Sequence, residues 1–139
     1  MIKYPSRKEI ESTSIEINPK TIQAIKKWKK EFYTKWHHNT NEAKINKLNS
    51  LIYYIQKSEK NIQPLKTRIG TEYKYDPDKK VIYHNLEKPS IISTLHELAH
   101  HVFGESELVA CTWSIQAFKK SFPNSFSKLK WENHLLVKK

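Results

Sequence analysis

The chain has 139 residues, a length suited to one domain, and its 37% hydrophobic and 12% aromatic content can fill one core, which excludes a charge-dominated disordered polymer. The net charge of +11 admits acidic partners, nucleic acid among them, and 13 of the 25 basic residues fall in residues 1–60. The longest apolar run, LIYYI at 51–55, is far short of the roughly 18 residues that span a bilayer, so no membrane partner is expected.

Residues 1–17 show no firm period, although SIEI at 14–17 alternates like a short strand. Asn18 and Pro19 form a cap and first-turn pair, and Ile22, Ile25, Trp28, Phe32 and Trp36 recur at helical spacing. HHNTN at 37–41 breaks that helix. Asn41 can cap a second one, whose Ile45, Leu48, Ile52 and Ile55 make one stripe, so a helical hairpin is predicted. His37 and His38 adjoin in this predicted break, where neighbouring side chains diverge, and read as a solvated pair. Beyond NIQP at 61–64, TEYKY at 71–75 and VIYHN at 81–85 are aromatic and β-branched, and DPDKK between them is turn chemistry, which predicts a β-hairpin. Ser90 is a good N-cap for IISTLHELAHHVF, and Gly104 is a suitable stop. A further helix is predicted from Glu105 or Ser106 to about Lys120, ending before Pro123, and SKLKWENHLL predicts a last one. The expected architecture is α+β in a single domain over 1–139. It comprises a mainly helical part (1–65), a core (66–122), and a C-terminal helix or tail (123–139).

His96-Glu97-Leu98-Ala99-His100 is an HExxH pattern inside the segment whose caps and period predict helix most clearly. Residues four apart on a helix share a face, so both imidazoles can meet one zinc ion, and Glu97 can reach a zinc-activated water as general base. His101 turns about 100° away and reads as a packing or supporting residue. A catalytic zinc generally takes a third protein ligand. Glu105 and Glu107 both follow the Gly104 stop. A tight reversal would set Glu107 opposite His100 while Glu105 is still in the turn, and the small Ala110 and Ser114 continue the Glu107 side. Cys111, the one cysteine, forms no internal disulfide and reads as a buried, unreactive thiol. Trp113, Phe118 and Phe122 read as core.

At TLHELAHHVFG followed by ELVA, the chain resembles the zincin metallopeptidases, specifically the glutamate-zincin (gluzincin) branch. The patterns most similar are those of ImmA/IrrE-type peptidases and the metallopeptidase domain of ArdC-type antirestriction proteins. The resemblance covers residues 70–118. It implies a zincin-like domain with His96, His100 and Glu107 as ligands of one Zn2+ and Glu97 as general base. It further implies that VIYHN at 81–85 occupies the place of the edge strand that holds extended substrate, and that His134 or Tyr83 takes the place of an oxyanion stabiliser. The metzincin pattern is excluded, because Phe103 and Ser106 stand where it requires glycine and histidine. The expected function is zinc-dependent hydrolysis of peptide bonds in a peptide or protein substrate. Two rival readings are a non-catalytic module stapled by zinc, and a DNA-associated zincin using its basic N-terminal half. The second is weakened because only Arg7 and Arg68 are arginine, the side chain preferred for phosphate and base forks. The opening MIKYPSRKEIESTS lacks the apolar stretch of a secretory leader, so a cytoplasmic location is expected.

Overall fold

In the computed structural model, which describes residues 5–60, 63–132 and 135–138, helices dominate and a small mixed sheet sits beside them, an α+β arrangement. Helix α1 (Arg7–Ser12) opens the described chain with a capping box: Ser6 Oγ accepts from the Glu9 N–H while the Glu9 carboxylate accepts from the Ser6 N–H. The strand expected at 14–17 is absent. That segment has no ladder partner, and its alternation reflects Ile17 entering the core with Ile15 beside it.

Helix α2 (Pro19–Phe32) starts at the expected Asn18 cap, whose Oδ1 accepts from the Lys20 N–H at 2.9 Å. It ends four residues before Trp36, because Lys35 adopts a left-handed conformation (φ 60°). Trp36–His38 then form one 3-10 turn that still delivers Trp36 to the core. His37 and His38 are both exposed there. Helix α3 (Asn41–Ser58) is capped by Thr40 rather than Asn41, the Thr40 hydroxyl accepting from the Ala43 N–H at 3.1 Å. Its stripe of Ile45, Leu48, Ile52 and Ile55 is buried as the spacing predicts.

The sheet departs from a simple hairpin. Strand β1 (Lys66–Gly70), which was not expected, runs parallel to β3 (Val81–Asn85), while β2 (Lys74–Asp76) runs antiparallel to β3 on its other side. The order β1-β3-β2 makes VIYHN the central strand, so it cannot be the edge that receives an extended chain. That edge is β2. Its expected length also shrinks, since only Lys74 and Tyr75 of TEYKY enter the ladder.

Helix α4 (Ile91–Phe103) packs most extensively on α5 (Glu107–Ser121). Leu95, Leu98, Ala99, Ala110, Trp113 and Ala117 between them are at most 2% exposed. This seam joins a continuous apolar core with Ile25 and Trp28 of α2, Leu48, Leu51, Ile52 and Ile55 of α3, Ile82 and Phe122. The predicted final helix is replaced by a short α6 (Pro123–Ser127) and a hairpin of β4 (Leu129–Glu132) and β5 (Leu135–Lys138). Leu129-Lys130-Trp131-Glu132 alternates apolar and polar with the strand period of two, which outweighed its helix formers. No helix among the described residues is long and apolar enough to cross a membrane.

Candidate metal centre

The α4–α5 reversal takes only three residues. Gly104 caps α4 at φ +107°, with its N–H on the His100 carbonyl at 3.1 Å, and Ser106 caps α5 by accepting from the Val109 N–H at 3.2 Å. A side chain at 104 would meet open space, so glycine is required there for its backbone conformation. Ala99, Ala110 and Ser114 are almost fully buried, and their small volumes let the two helices approach closely.

This packing brings His96, His100 and Glu107 together. His100 Nε2 lies 2.7 Å from Glu107 Oε1, His96 Nε2 lies 3.1 Å from Glu107 Oε2, and the two Nε2 atoms are 3.2 Å apart. Ligand atoms around a tetrahedral zinc with bonds of 2.0–2.2 Å stand about 3.3–3.6 Å from one another; the 3.1 and 3.2 Å pairs come near that spacing, while the 2.7 Å pair stands at hydrogen-bond distance. A carbonyl can only accept, so His100 Nδ1 must donate to Gly104 O (3.0 Å), which turns Nε2 toward the others. Glu107 Oε2 is buried without a hydrogen bond.

Burial pulls the His96 pKa below its ordinary value; the charge of Glu107 opposes this and that of His100 adds to it. The ring therefore favours the neutral form that a metal needs. Its outer nitrogen, Nδ1, faces Cys111 Sγ at 3.7 Å. Cys111 is half-buried rather than buried, and burial, reinforced by the charges of Glu107 and Glu97, pushes its pKa up to about 12, which keeps the thiol protonated, in line with an unreactive thiol. Glu97 Oε2 stands 4.0 Å from His96 Nε2, and a carboxylate oxygen of Glu97 lies within 4.8 Å of ligand nitrogens of both histidines. Burial is the first cause raising its carboxyl pKa to about 7; Glu107 adds to this, while His100 and the Tyr75 backbone N–H oppose it. Glu105 is exposed and makes no ion pair with either histidine, so the geometry favours Glu107.

These groups open into a cleft of about 810 Å³ whose far wall is the β2 edge. Tyr73, Lys74 and Tyr75 all line it. His101 is buried and turned away from the ion-sized gap, accepting from the Tyr75 hydroxyl at 2.7 Å. Of the two suggested oxyanion stabilisers, Tyr83 is not among the cleft-lining residues and His134 lies outside the described residues. Trp113, Phe118 and Phe122 are buried as expected. Comparison with protein-family models, curated proteins and solved structures finds no match to this chain.

Proposed function

We propose that the chain is a zinc-dependent metallopeptidase of the HExxH-plus-glutamate type. The observation that carries this reading is the approach of His96 Nε2, His100 Nε2 and the Glu107 carboxylate to within 3.2 Å of one another, beside a second, buried carboxylate in an open cleft. The three residues would hold one zinc ion, which when bound supplies Lewis-acid activation of water and of the peptide carbonyl. Glu97 accepts a proton from the attacking water and delivers it to the departing amine nitrogen. Water's oxygen thus ends in the new carboxyl group and its proton on the new amine. A carboxyl pKa near 7 suits a group that must both take and give a proton near neutrality. The outer edge of β2 offers backbone groups along which an extended peptide can lie.

Metal content and peptide cleavage, measured side by side, test this reading. One zinc per chain is expected in the wild type, in Glu97→Gln and in Glu105→Ala, with loss in His96→Ala and Glu107→Ala. Cleavage should fall by about 10²-fold or more in Glu97→Gln. Undiminished cleavage by that variant, or full metal retention in Glu107→Ala, rejects the reading.

A further inference from the structure

We propose that the outer edge of β1 receives an extended segment of a partner protein in which apolar and acidic side chains alternate, and that this segment joins the sheet as a fourth strand. The site lies apart from the cleft and does not depend on its chemistry. The order β1-β3-β2 gives the sheet two edges, and β1 is the one away from β2. The Lys66 N–H points inward, to the Lys80 carbonyl at 2.9 Å. Backbone groups alternate in direction along a strand, so Arg68 and Gly70 also face β3, while Thr67 and Ile69 turn their N–H and C=O groups outward. The Arg68 guanidinium agrees with this, since its Nη1 reaches round the edge to donate to the Thr67 carbonyl at 3.0 Å. Neither outward N–H has a partner among the described residues, and such a row is a template for another strand.

The two faces of this edge differ, and the difference defines the partner. On the face toward the helices, the register sets Thr67 beside Ile82 and Ile69 beside His84; the two β3 residues are fully buried, whereas Ile69 stays 55% exposed at the rim. Asn49 of α3 bonds to His84, and Tyr53, 62% exposed, follows Asn49 by one turn on the same side of that helix. On the opposite face Lys66 and Arg68 are exposed, and Lys74, registered with Tyr83 as Arg68 is, sets its Nζ 4.9 Å from the centre of that ring. None of these three cations is paired with a carboxylate among the described residues. An added strand bonds to the outward groups of Thr67 and Ile69, turns every second side chain toward Ile69 and the others toward Lys66 and Arg68. Apolar side chains suit the first row, and Asp or Glu the second. The same charges disfavour a second copy of this chain, because two β1 strands paired about a two-fold axis would set Lys66 and Arg68 against their own kind.

Fluorescence anisotropy with the full chain carrying Glu97→Gln, so that no probe is consumed, tests this. The probe is a fluorescein-labelled heptapeptide of alternating valine and glutamate. One control has the same composition with the two residue types in separate blocks, and the other has lysine in place of glutamate. The alternating acidic peptide is expected to bind at least about tenfold tighter than either control. Thr67→Pro removes an outward N–H without touching the ladder to β3 and should weaken that binding at least about tenfold, with the far-UV circular dichroism unchanged. The double variant Lys66→Glu, Arg68→Glu should reverse the preference, the lysine peptide now binding the tighter; if Thr67→Pro fails to fold, this variant decides. Equal affinity for the alternating and block peptides, binding that survives in folded Thr67→Pro, or an acidic preference retained by the double variant overturns the proposal. So does sedimentation showing a dimer that Thr67→Pro dissolves, which would give the edge to a second copy.

Discussion

His96 and His100 differ in what holds their outer ring nitrogens, and the difference makes a residue-scale prediction. His100 donates to a backbone carbonyl fixed by the Gly104 turn, whereas His96 has the Cys111 sulfur, a soft partner at 3.7 Å. Partners of this kind orient a ligand ring, and losing one typically costs 10–100-fold in metal affinity. Cys111→Ala should therefore weaken zinc binding by about tenfold, measured by competition with a chromogenic chelator, while Cys111→Ser should lose less. Unchanged affinity in Cys111→Ala would show that the sulfur merely fills space. The HExxH pair and Glu97 were legible in the sequence, because spacing on a helix is a local property. The Cys111–His96 and Tyr75–His101 contacts were not, since each joins residues whose elements meet only when the chain has folded.

Elements were legible where their ends carry chemistry. Asn18-Pro19, Ser90 and Gly104 all act at the ends the sequence indicates, and Ser106 opens α5 as one of the two starts considered. The Ser6-x-x-Glu9 box carries the same kind of signal for α1. Strand β1 had no such signal. KTRIG is mostly polar or charged, and it becomes a strand because β3, fifteen residues further on, supplies its hydrogen-bond partners. The seam between α4 and α5 makes a prediction at this scale. Ala110 is 1% exposed where the helices meet, so Ala110→Leu should overpack it and cost about 1–3 kcal/mol in urea unfolding. By pushing Glu107 away from the histidines it should also weaken zinc binding. Full zinc affinity in a destabilised variant would uncouple the seam from the metal centre.

Across the whole molecule, the buried His84 links helices to sheet. Its Nε2 donates to Asn49 Oδ1 of α3 at 2.9 Å, and its Nδ1 accepts from Tyr73 Oη at 3.2 Å. Tyr73 Oη in turn accepts the Ser90 N–H at the start of α4 at 2.9 Å. Burial lowers the His84 pKa from 6.5 to about 4. Between those values the unfolded chain binds a proton that the folded chain refuses, so this contribution is complete above pH 6.5 and erodes as the pH falls. The loss should reach about 2 kcal/mol at pH 5. Glu97, whose carboxyl pKa is raised from 4.5 to about 7, acts in the opposite sense, and its stabilising effect is lost as the pH rises across that window. Urea unfolding of the metal-free Glu97→Gln, Glu107→Ala double variant at pH 7 and pH 5 isolates the histidine side of this balance. An NMR titration placing His84 near 6.5 would refute the assignment. Chelation makes the complementary prediction: zinc present at 1,000 times its Kd adds about 4 kcal/mol, so EDTA should lower the Tm by several degrees. An unaltered Tm would mean that no ion contributes to the fold.

Composition, caps and helical period settled that this chain builds amphipathic helices around one apolar core, and that two imidazoles and a carboxylate project from the α4 segment. Those are consequences of local geometry and of what must leave water. Only the tertiary structure decided that Glu107 faces them instead of Glu105, that VIYHN lies in the middle of the sheet, and that β2 borders the cleft. Each of these depends on how separate elements dock and exchange backbone hydrogen bonds, a balance of non-local contacts that no short stretch of chain encodes alone.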